Sequence, residues 1–240
     1  MDDKNNPALL REEKYRTLEN VLAKVVHDLN NHLSGIMGYA QMILADSPDE
    51  QTRGDAEKVL KEAAKSLEIL QNLGGFYQKP SMKPERVRME AFLQDEVPVL
   101  SEAYRRQGIQ IGFSTAANNC YARIDRKLFT EVLKALVKNG IESAERKGIP
   151  ALIQITLQKE KDALIIEVRD NGSGIPENHF LQICDPFFTT QPLIKGKGQG
   201  LPMAFNILRY MNGTLDFLNA SDGGAVVRIS LPDGSSPRRD

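Results

Sequence analysis

The sequence predicts an α+β protein in which an N-terminal helical hairpin precedes a domain of mixed helices and strands. The first observation is an apolar period close to that of an α-helix, which continues through most of the first third of the chain. The second is a change of pattern beyond Pro84, where short alternating apolar runs stand between helical ones. These runs show no regular strand–helix repeat, which favours α+β over a doubly wound sheet.

The predicted hairpin consists of one helix over Pro7–Ala45 and a second over Asp49–Phe76, joined at Ser47-Pro48-Asp49. Apolar residues of the first helix alternate between spacings of four and three, which is typical of coiled-coil packing. Two helices cannot bury so broad an apolar face. The pattern therefore predicts a homodimer whose hairpins form a four-helix bundle, and we assign residues 7–78 to this domain.

The second predicted domain covers residues 88–232 and follows a linker over 79–87 that contains two Lys-Pro pairs. Asp125 is predicted to cap the longest helix of this domain. Residues 233–240 are expected to form a disordered tail. The predicted elements are, in order, a helix over 90–107, a strand over 109–114, a helix over 125–147, strands over 152–158 and 163–169, a glycine-rich loop over 171–200, a helix ending at Met211, and strands over 214–218 and 225–231.

Composition excludes several classes of protein. Lys and Arg number 31 against 32 Asp and Glu, and this balance argues against nucleic-acid binding. Cys120 and Cys184 are far apart and outside any CxxC, which excludes a disulfide framework or a cysteine zinc site. No apolar run approaches the roughly 18 residues that cross a bilayer, and the polar N-terminus does not resemble a signal peptide. We therefore expect a cytoplasmic protein with no membrane segment in this chain.

His27 lies on a polar stripe of the first helix, opposite the apolar face, and is predicted to point into solvent. Asp28 could hold the imidazole ring or accept its proton, and neutral imidazole is a good nucleophile near neutral pH. Asn31 is one turn further on the same face and could orient a water molecule. His32, at the edge of the apolar face, is predicted to be buried or partly buried. Without its neighbours, His27 would be interpreted as an exposed histidine with no role.

Two polar positions of the second domain could contact a nucleotide. Asn139 is late in a predicted helix, where its amide oxygen could bind Mg²⁺. Asp170 ends a predicted strand, where its carboxylate could accept a hydrogen bond from the exocyclic amine of adenine. Gly172 and Gly174 would let the backbone bend close to the base. Taken singly, these motifs are equally compatible with a surface asparagine and a simple turn.

A second glycine motif precedes the last predicted helix. Gly196, Gly198 and Gly200 could wrap phosphate oxygens at the N-terminus of the helix that begins at Leu201, where Lys195 adds positive charge. Upstream, Phe188 and Thr189 belong to the run Asp185–Thr190, whose paired aromatic residues could anchor a mobile loop over a bound nucleotide. The alternative for these aromatic residues is a place in the core.

The order of these motifs resembles that of the sensor histidine kinases. They correspond to the H, N, G1, F and G2 boxes of that family, and the runs from His27 to Asn31 and from Asp185 to Thr190 look like its nitrogen-regulation-type branch. The resemblance implies a dimeric phosphoacceptor hairpin and an ATP-binding α/β sandwich of the gyrase, Hsp90, kinase and MutL (GHKL) type. It also implies ATP and Mg²⁺ as cofactors, phosphorylation of His27, and transfer to an aspartate on a response-regulator receiver domain. A separate hypothesis, from the one-turn spacing of Asn31 and His27, is phosphatase activity towards that regulator.

Two other classes of function stay open at this point. Ala135, Ile194 and Gln199 depart from the family pattern, which motivates a catalytically weak dimeric scaffold or phosphotransfer adaptor. A GHKL-type ATPase that drives a conformational cycle would share the nucleotide fold but would have no use for the His27 stripe. Nucleotide affinity separates the adaptor from the kinase, and a stable phosphoprotein separates the kinase from the ATPase.

Overall fold

The computed structural model describes residues 7–77, 80–180, 182–184 and 200–235. The chain divides into two compact units, Met1–Lys79 and Pro80–Asp240. The first unit is entirely helical where it is described, and the second combines helices with two sheets.

The first unit is the predicted hairpin, made of α1 (Pro7–Asp46) and α2 (Glu50–Tyr77). Pro48 interrupts the helical pattern, and Asp49 caps α2 by accepting a hydrogen bond from the Thr52 backbone N–H at 2.9 Å. The two helices pack through small or branched residues that become buried, and alanine at these positions permits close approach of the backbones. The buried residues of this seam are Val26, Ala40, Ala56 and Ala63.

One side of the hairpin carries an apolar face that the single chain leaves uncovered. Its seven large side chains are between 41% and 72% exposed, which is unusual for a contiguous apolar surface. These residues are Val25, Leu29, Ile36, Tyr39, Met42, Ile43 and Val59. His32 is exposed in the single chain and lies within this uncovered face by helical period, so its predicted burial depends on a partner hairpin and stays a prediction. Helix α2 covers the side of α1 that carries Val26 and Ala40, and His32 lies outside that contact.

The second unit contains seven strands and three α-helices in its described part. Its helices are α3 (Met89–Tyr104), α4 (Arg126–Lys147) and α5 (Gly200–Tyr210), with short 3₁₀ turns at Arg105–Gln107 and Glu177–His179. Its strands are β1 (Glu85–Arg88), β2 (Gln110–Thr115), β3 (Tyr121–Ile124), β4 (Leu152–Glu160), β5 (Ala163–Asp170), β6 (Thr214–Asn219) and β7 (Ala225–Pro232).

The main sheet has the strand order β2-β4-β5-β7-β6. Only β2 and β4 run parallel, in the register Gln110 opposite Leu152, and the remaining pairs are antiparallel. Ile153, Ile155 and Leu157 alternate along β4 and are fully buried, while the residues between them are partly exposed. The three helices cover the apolar face of this sheet, where α4 contributes Phe129 and Leu133. The unit is therefore a two-layer α/β sandwich, as the family resemblance implies.

Two short strands, β1 and β3, form a separate antiparallel sheet that the sequence analysis did not predict. Residues 85–87 fall in the predicted linker and Arg88 begins the predicted second domain, but all four residues pair with residues 121–124 in the register Glu85 opposite Ile124. Each strand is too short to show a clear period, and each depends on a partner distant in sequence.

The start of the predicted disordered tail is also ordered. The Asp233 backbone N–H donates to the Asp162 carbonyl at 2.8 Å, and the Gly234 N–H donates to the Tyr121 carbonyl at 2.5 Å. The Lys159 ammonium lies 2.5 Å from the Asp233 carboxylate. The described chain therefore stays attached to the domain as far as Ser235.

Candidate functional site

His27 lies in the middle of α1 with its side chain 74% exposed, as predicted. Asp28 Oδ1 lies 3.3 Å from His27 Nδ1, and Asn31 Nδ2 lies 3.4 Å from the same nitrogen. Both distances are at the long end for hydrogen bonds, so these contacts orient the ring only loosely. Among the described residues, none makes a hydrogen bond to His27 Nε2.

The two neighbours of Nδ1 require different tautomers of the ring. Asp28 can only accept a hydrogen bond, so its contact requires a proton on Nδ1. A donated hydrogen bond from the Asn31 amide would instead require a lone pair on Nδ1. With the proton on Nδ1, the lone pair is on Nε2, which faces solvent. Asp28 thus favours the tautomer whose exposed nitrogen is nucleophilic.

In the second unit, Asp170 ends β5 and is buried, with a relative exposure of 7%. Its Oδ1 accepts backbone hydrogen bonds from Gly172 at 2.8 Å and from Ala225 at 3.2 Å. Burial raises the pKa of Asp170, and the two backbone donors oppose that rise only in part. Oδ2 has no hydrogen-bond partner in the described part of the chain. One oxygen therefore fixes the loop, and the other is available to accept a hydrogen bond from a ligand.

Gly172 lies against α4 so closely that no side chain fits there. A Cβ at this position would lie 2.6 Å from the Cβ of Ser143. Ser143 is buried, and its hydroxyl accepts a hydrogen bond from the Ser173 backbone N–H at 3.2 Å. Glycine at 172 is thus required by close packing of the loop on the helix, whereas Gly174 is required by its φ of +74°.

Asn139 and Gly200 come together where α4 meets α5. A Cβ on Gly200 would lie 3.8 Å from Asn139 Oδ1 and 3.5 Å from the Cβ of Ala135. Asn139 is half-buried, and its Nδ2 has no hydrogen-bond partner although the atom is inaccessible to solvent. A buried amide without a partner is costly, which suggests that a ligand completes its hydrogen bonds. Leu201, in the first turn of α5, is half-buried beside it.

The remaining predicted nucleotide contacts cannot be placed by this structure. Phe188, Thr189, Lys195, Gly196 and Gly198 lie outside the described residues, in the stretch 185–199. The described residues bring together Asn139, Asp170, Gly172 and Gly200 through α4, the end of β5 and the start of α5.

Two positioning contacts were missed from the sequence. Asn219 holds the loop after Gly174 in a bidentate contact, since its amide accepts from the Ile175 N–H and donates to the Ile175 carbonyl, each at 2.8 Å. Lys147, at the end of α4, donates to the carbonyls of Asn171 and Gly172 at 3.1 and 3.2 Å. Both residues are exposed or distant in sequence from the loop, so no local pattern indicates their role.

Neither a metal cage nor a membrane span is found in the part of the chain that the structure describes. No group of three or more His, Cys, Asp or Glu side chains there is arranged to hold a metal ion. No described helix combines the length and the hydropathy needed to cross a membrane.

Comparisons with known proteins match both units. Residues 17–74 match the His Kinase A (phospho-acceptor) domain, and residues 124–235 match the histidine kinase-, DNA gyrase B- and HSP90-like ATPase family. The C4-dicarboxylate transport sensor protein DctB of Pseudomonas aeruginosa is 25% identical over 224 residues, which are 92% of this chain and 37% of DctB. The curated relatives are longer proteins, and this chain spans less than two thirds of their length.

Solved structures agree with both matches. The catalytic domain of histidine kinase ThkA is 26% identical with a TM-score of 0.55, covering 63% of this chain and 97% of that domain. ThkA in complex with the response regulator protein TrrA has a TM-score of 0.60 at 22% identity, covering 95% of this chain and 65% of that one, which shows the likeness of fold. The two family matches together span well over half of the residues, in the order hairpin then ATPase-like domain. The chain therefore belongs to the sensor histidine kinases, and it comprises the phospho-acceptor hairpin and the ATP-binding domain of their catalytic core.

Proposed function

We propose that this chain transfers the γ-phosphoryl group of ATP to Nε2 of His27 and then to an aspartate of a response-regulator receiver domain. The observation that carries the proposal is the exposed imidazole of His27, whose Nδ1 faces Asp28 at 3.3 Å. A functionless surface histidine would have no need of an acidic neighbour that favours the nucleophilic tautomer.

In the proposed reaction, the Nε2 lone pair attacks the γ-phosphorus, the bond from phosphorus to the bridging oxygen breaks, and ADP leaves. The proton on Nδ1 then passes to Asp28 or to solvent, which leaves a neutral phosphoimidazole ring. Phosphoryl transfer needs little covalent help from the protein, so the main contributions of Asp28 are orientation of the ring and removal of this proton.

The second unit is proposed to hold ATP with its adenine against Asp170. The unpaired Oδ2 of this buried carboxylate supports a hydrogen bond from the exocyclic amine of the base. Gly172 and Gly174 keep the backbone close enough to line the base site. We propose that Phe188, Thr189, Lys195, Gly196, Gly198, Gly200 and Leu201 enclose the phosphates, supported by their position before the N-terminus of α5.

A magnesium ion fits the residues present as a partner of the nucleotide. Asn139 Oδ1 lies 3.8 Å from the position of a Cβ built on Gly200, and Mg²⁺ in proteins commonly takes one or two protein oxygen ligands together with phosphates and water. The unpaired Nδ2 is a donor, so it would hydrogen-bond a phosphate oxygen rather than the ion. When bound, the ion would neutralise charge on the phosphates. We propose Asn139 as its protein ligand. Because ATP is needed, the proposal agrees with the predicted cytoplasmic location.

The proposed assembly is a homodimer. The exposed apolar face of Leu29, Ile36 and Ile43 supports a second hairpin as its partner, because burying it completes a four-helix bundle. A receiver domain as the second partner is supported by the ThkA structure, whose partner is described as a response regulator protein. The assignment of this chain to the nitrogen-regulation-type branch stays a prediction from the runs His27–Asn31 and Asp185–Thr190.

The test is incubation with ATP labelled at the γ-phosphate, followed by mapping of the modified residue by mass spectrometry. His27→Ala should abolish labelling, and His179→Ala, which removes a histidine of the second unit, is the control that should keep it. Equal labelling of wild type and His27→Ala would contradict the proposal. ATP turnover without an acid-labile phosphoprotein would instead favour the GHKL-type ATPase, and absence of nucleotide affinity would favour the adaptor.

A reverse activity is proposed for Asn31. Its amide lies beside His27, 3.4 Å from Nδ1, where it could position a water molecule against the phosphoaspartate of the regulator. Asn31→Ala should reduce dephosphorylation of the regulator while leaving labelling of His27 intact. Ser34→Ala, one turn further along the exposed side of α1, is the control. Unchanged phosphatase activity in Asn31→Ala would remove this role.

A further inference from the structure

Asp125 occupies the junction between β3 and α4 and uses both of its carboxylate oxygens. Oδ1 caps α4 by accepting a hydrogen bond from the Leu128 N–H at 3.1 Å, and the backbone of Asp125 is extended, as expected for a cap. Oδ2 accepts a second hydrogen bond from the Lys83 N–H at 2.8 Å, 42 residues earlier in the chain. The Lys83 and Leu128 donors hold the pKa of Asp125 below its usual value.

Lys83 belongs to the segment by which the chain enters the second unit. Pro84 follows it, and proline has no backbone N–H, so Lys83 carries the last free backbone donor before β1. Proline also restricts the residue before it to extended conformations. The hydrogen bond to Asp125 therefore fixes the entering chain two residues earlier than the β1–β3 pairing does.

From these contacts we infer that Asp125 is a positioning residue for phosphoryl transfer, which ties the entering chain to the start of the helix that carries Asn139. The inference rests on the proposed function, because it concerns the step in which nucleotide reaches His27. Helix α4 runs from Asp125 to Asn139 over roughly 20 Å at 1.5 Å per residue. Through Asp125, the Lys83 backbone is joined to the start of the helix that carries Asn139.

Loss of this tie would release Lys83 and Pro84, so that the entering chain would first be held at Glu85. A longer connection admits more unproductive orientations and lowers the effective concentration of the γ-phosphate at His27. The nucleotide site itself would not change, because Asp170, Gly172 and Gly200 are held by other contacts. The expected signature is therefore a lower autophosphorylation rate at saturating ATP with unchanged affinity for ATP.

The experiment compares Asp125→Ser with wild type, using the full chain. A serine hydroxyl can still cap α4 but is too short and has too few acceptors to reach Lys83 as well. The rate at saturating ATP should fall about threefold to tenfold, because the released residues admit orientations that do not bring the γ-phosphate to His27. Amide hydrogen exchange should become faster at Lys83 while Leu128 stays protected. The dissociation constant of a non-hydrolysable ATP analogue should change less than twofold.

Two further variants keep the test decisive. Asp125→Ala removes cap and tie together and should also destabilise the fold, which separates capping from positioning. Glu102→Gln removes only the ion pair between Glu102 of α3 and Arg105, 3.2 Å apart, exposed to solvent and away from this junction, so its rate should match wild type.

An unchanged rate in Asp125→Ser despite faster exchange at Lys83 would overturn the inference. A parallel loss of nucleotide affinity and rate would also overturn it, because the role would then be structural. If wild type itself takes up no label, the proposed function fails and this inference fails with it, an outcome visible before any variant is compared.

Discussion

Replacement of Asp170 by asparagine separates the two tasks that the structure assigns to its two oxygens. The amide oxygen of asparagine can still accept the backbone hydrogen bonds from Gly172 and Ala225 that Oδ1 accepts in the wild type. The amide nitrogen would replace Oδ2 and place a donor opposite the donor amine of adenine. The variant should therefore keep its fold and lose affinity for adenine nucleotides.

The size of each effect follows from the hydrogen bonds concerned. A lost charged hydrogen bond together with a newly unpaired buried donor costs about 3 kcal/mol, so the dissociation constant of ADP should rise roughly 150-fold. Asp170→Ala removes the oxygen that accepts from Gly172 and Ala225 and leaves both N–H groups unpaired. At about 1–3 kcal/mol for each group, the melting temperature should fall by about 10 °C.

The pH dependence of the unfolding free energy supplies an independent readout. Because burial raises the pKa of Asp170 above its unfolded value, the native state binds this proton more tightly than the unfolded state. The stability that this proton contributes is complete below the unfolded pKa and is lost as pH rises through the raised native pKa. Asp170→Asn should therefore be as stable as wild type, or more so, at neutral pH without nucleotide, and should lose its advantage in acid.

Calorimetric titration with ADP and thermal unfolding without nucleotide measure these effects. Asp222→Asn is the control, because Asp222 is an exposed carboxylate paired with Arg169 outside the base site. Retention of wild-type ADP affinity by Asp170→Asn would refute the reasoning, as would a fall in melting temperature as large as that of Asp170→Ala.

Three further substitutions test separate parts of the structure. Ile36→Lys places a charge on the uncovered face of α1, where Ile36 is 46% exposed, and should prevent dimerisation. Analytical ultracentrifugation should then give the monomer mass of 26.8 kDa. A dimer that persists would place the interface elsewhere. Gly172→Ala should weaken nucleotide binding at least tenfold. The new Cβ would lie 2.6 Å from the Cβ of Ser143, and overpacking that costs about 2 kcal/mol would displace the loop. An unchanged dissociation constant for nucleotide would argue against close packing at this position. Glu90→Gln should lower the melting temperature by several degrees, since Glu90 accepts hydrogen bonds from Arg88 and from the backbone of Asn119 and Cys120. Although burial acts to raise the pKa of Glu90, these donors lower it, so stability should fall as pH drops through that pKa in wild type and not in the variant.

The sequence predicted those features that depend on local pattern. The first helix was expected over 7–45 and is found over Pro7–Asp46, because its period is long and Pro48 provides a clear stop. Exposure of His27 follows from the same period. The strands predicted over 152–158 and 163–169 correspond to β4 and β5, whose buried alternation is evident in the sequence.

Features that depend on contacts between distant segments were not predictable. The β1–β3 pair joins two runs of four residues, and neither run is long enough for an alternation of apolar and polar residues to distinguish it from a loop. Asn219 and Ile175 are 44 residues apart, and nothing near either residue indicates their bidentate contact. The burial predicted for His32 stays untested, because the period identifies an apolar face and α2 covers only the part of it that carries Val26 and Ala40.

Strand β7 closes the corner around Asp170, and it is the last element of the fold. Ala225 donates to the Asp170 carboxylate, and Gly224 passes so close to the Asp170 carbonyl that no Cβ fits there. A ribosome completes the hairpin long before it completes this corner. If the hairpins pair as proposed, chains that stop before β7 would still associate but would lack the Ala225 hydrogen bond that fixes the Asp170 carboxylate.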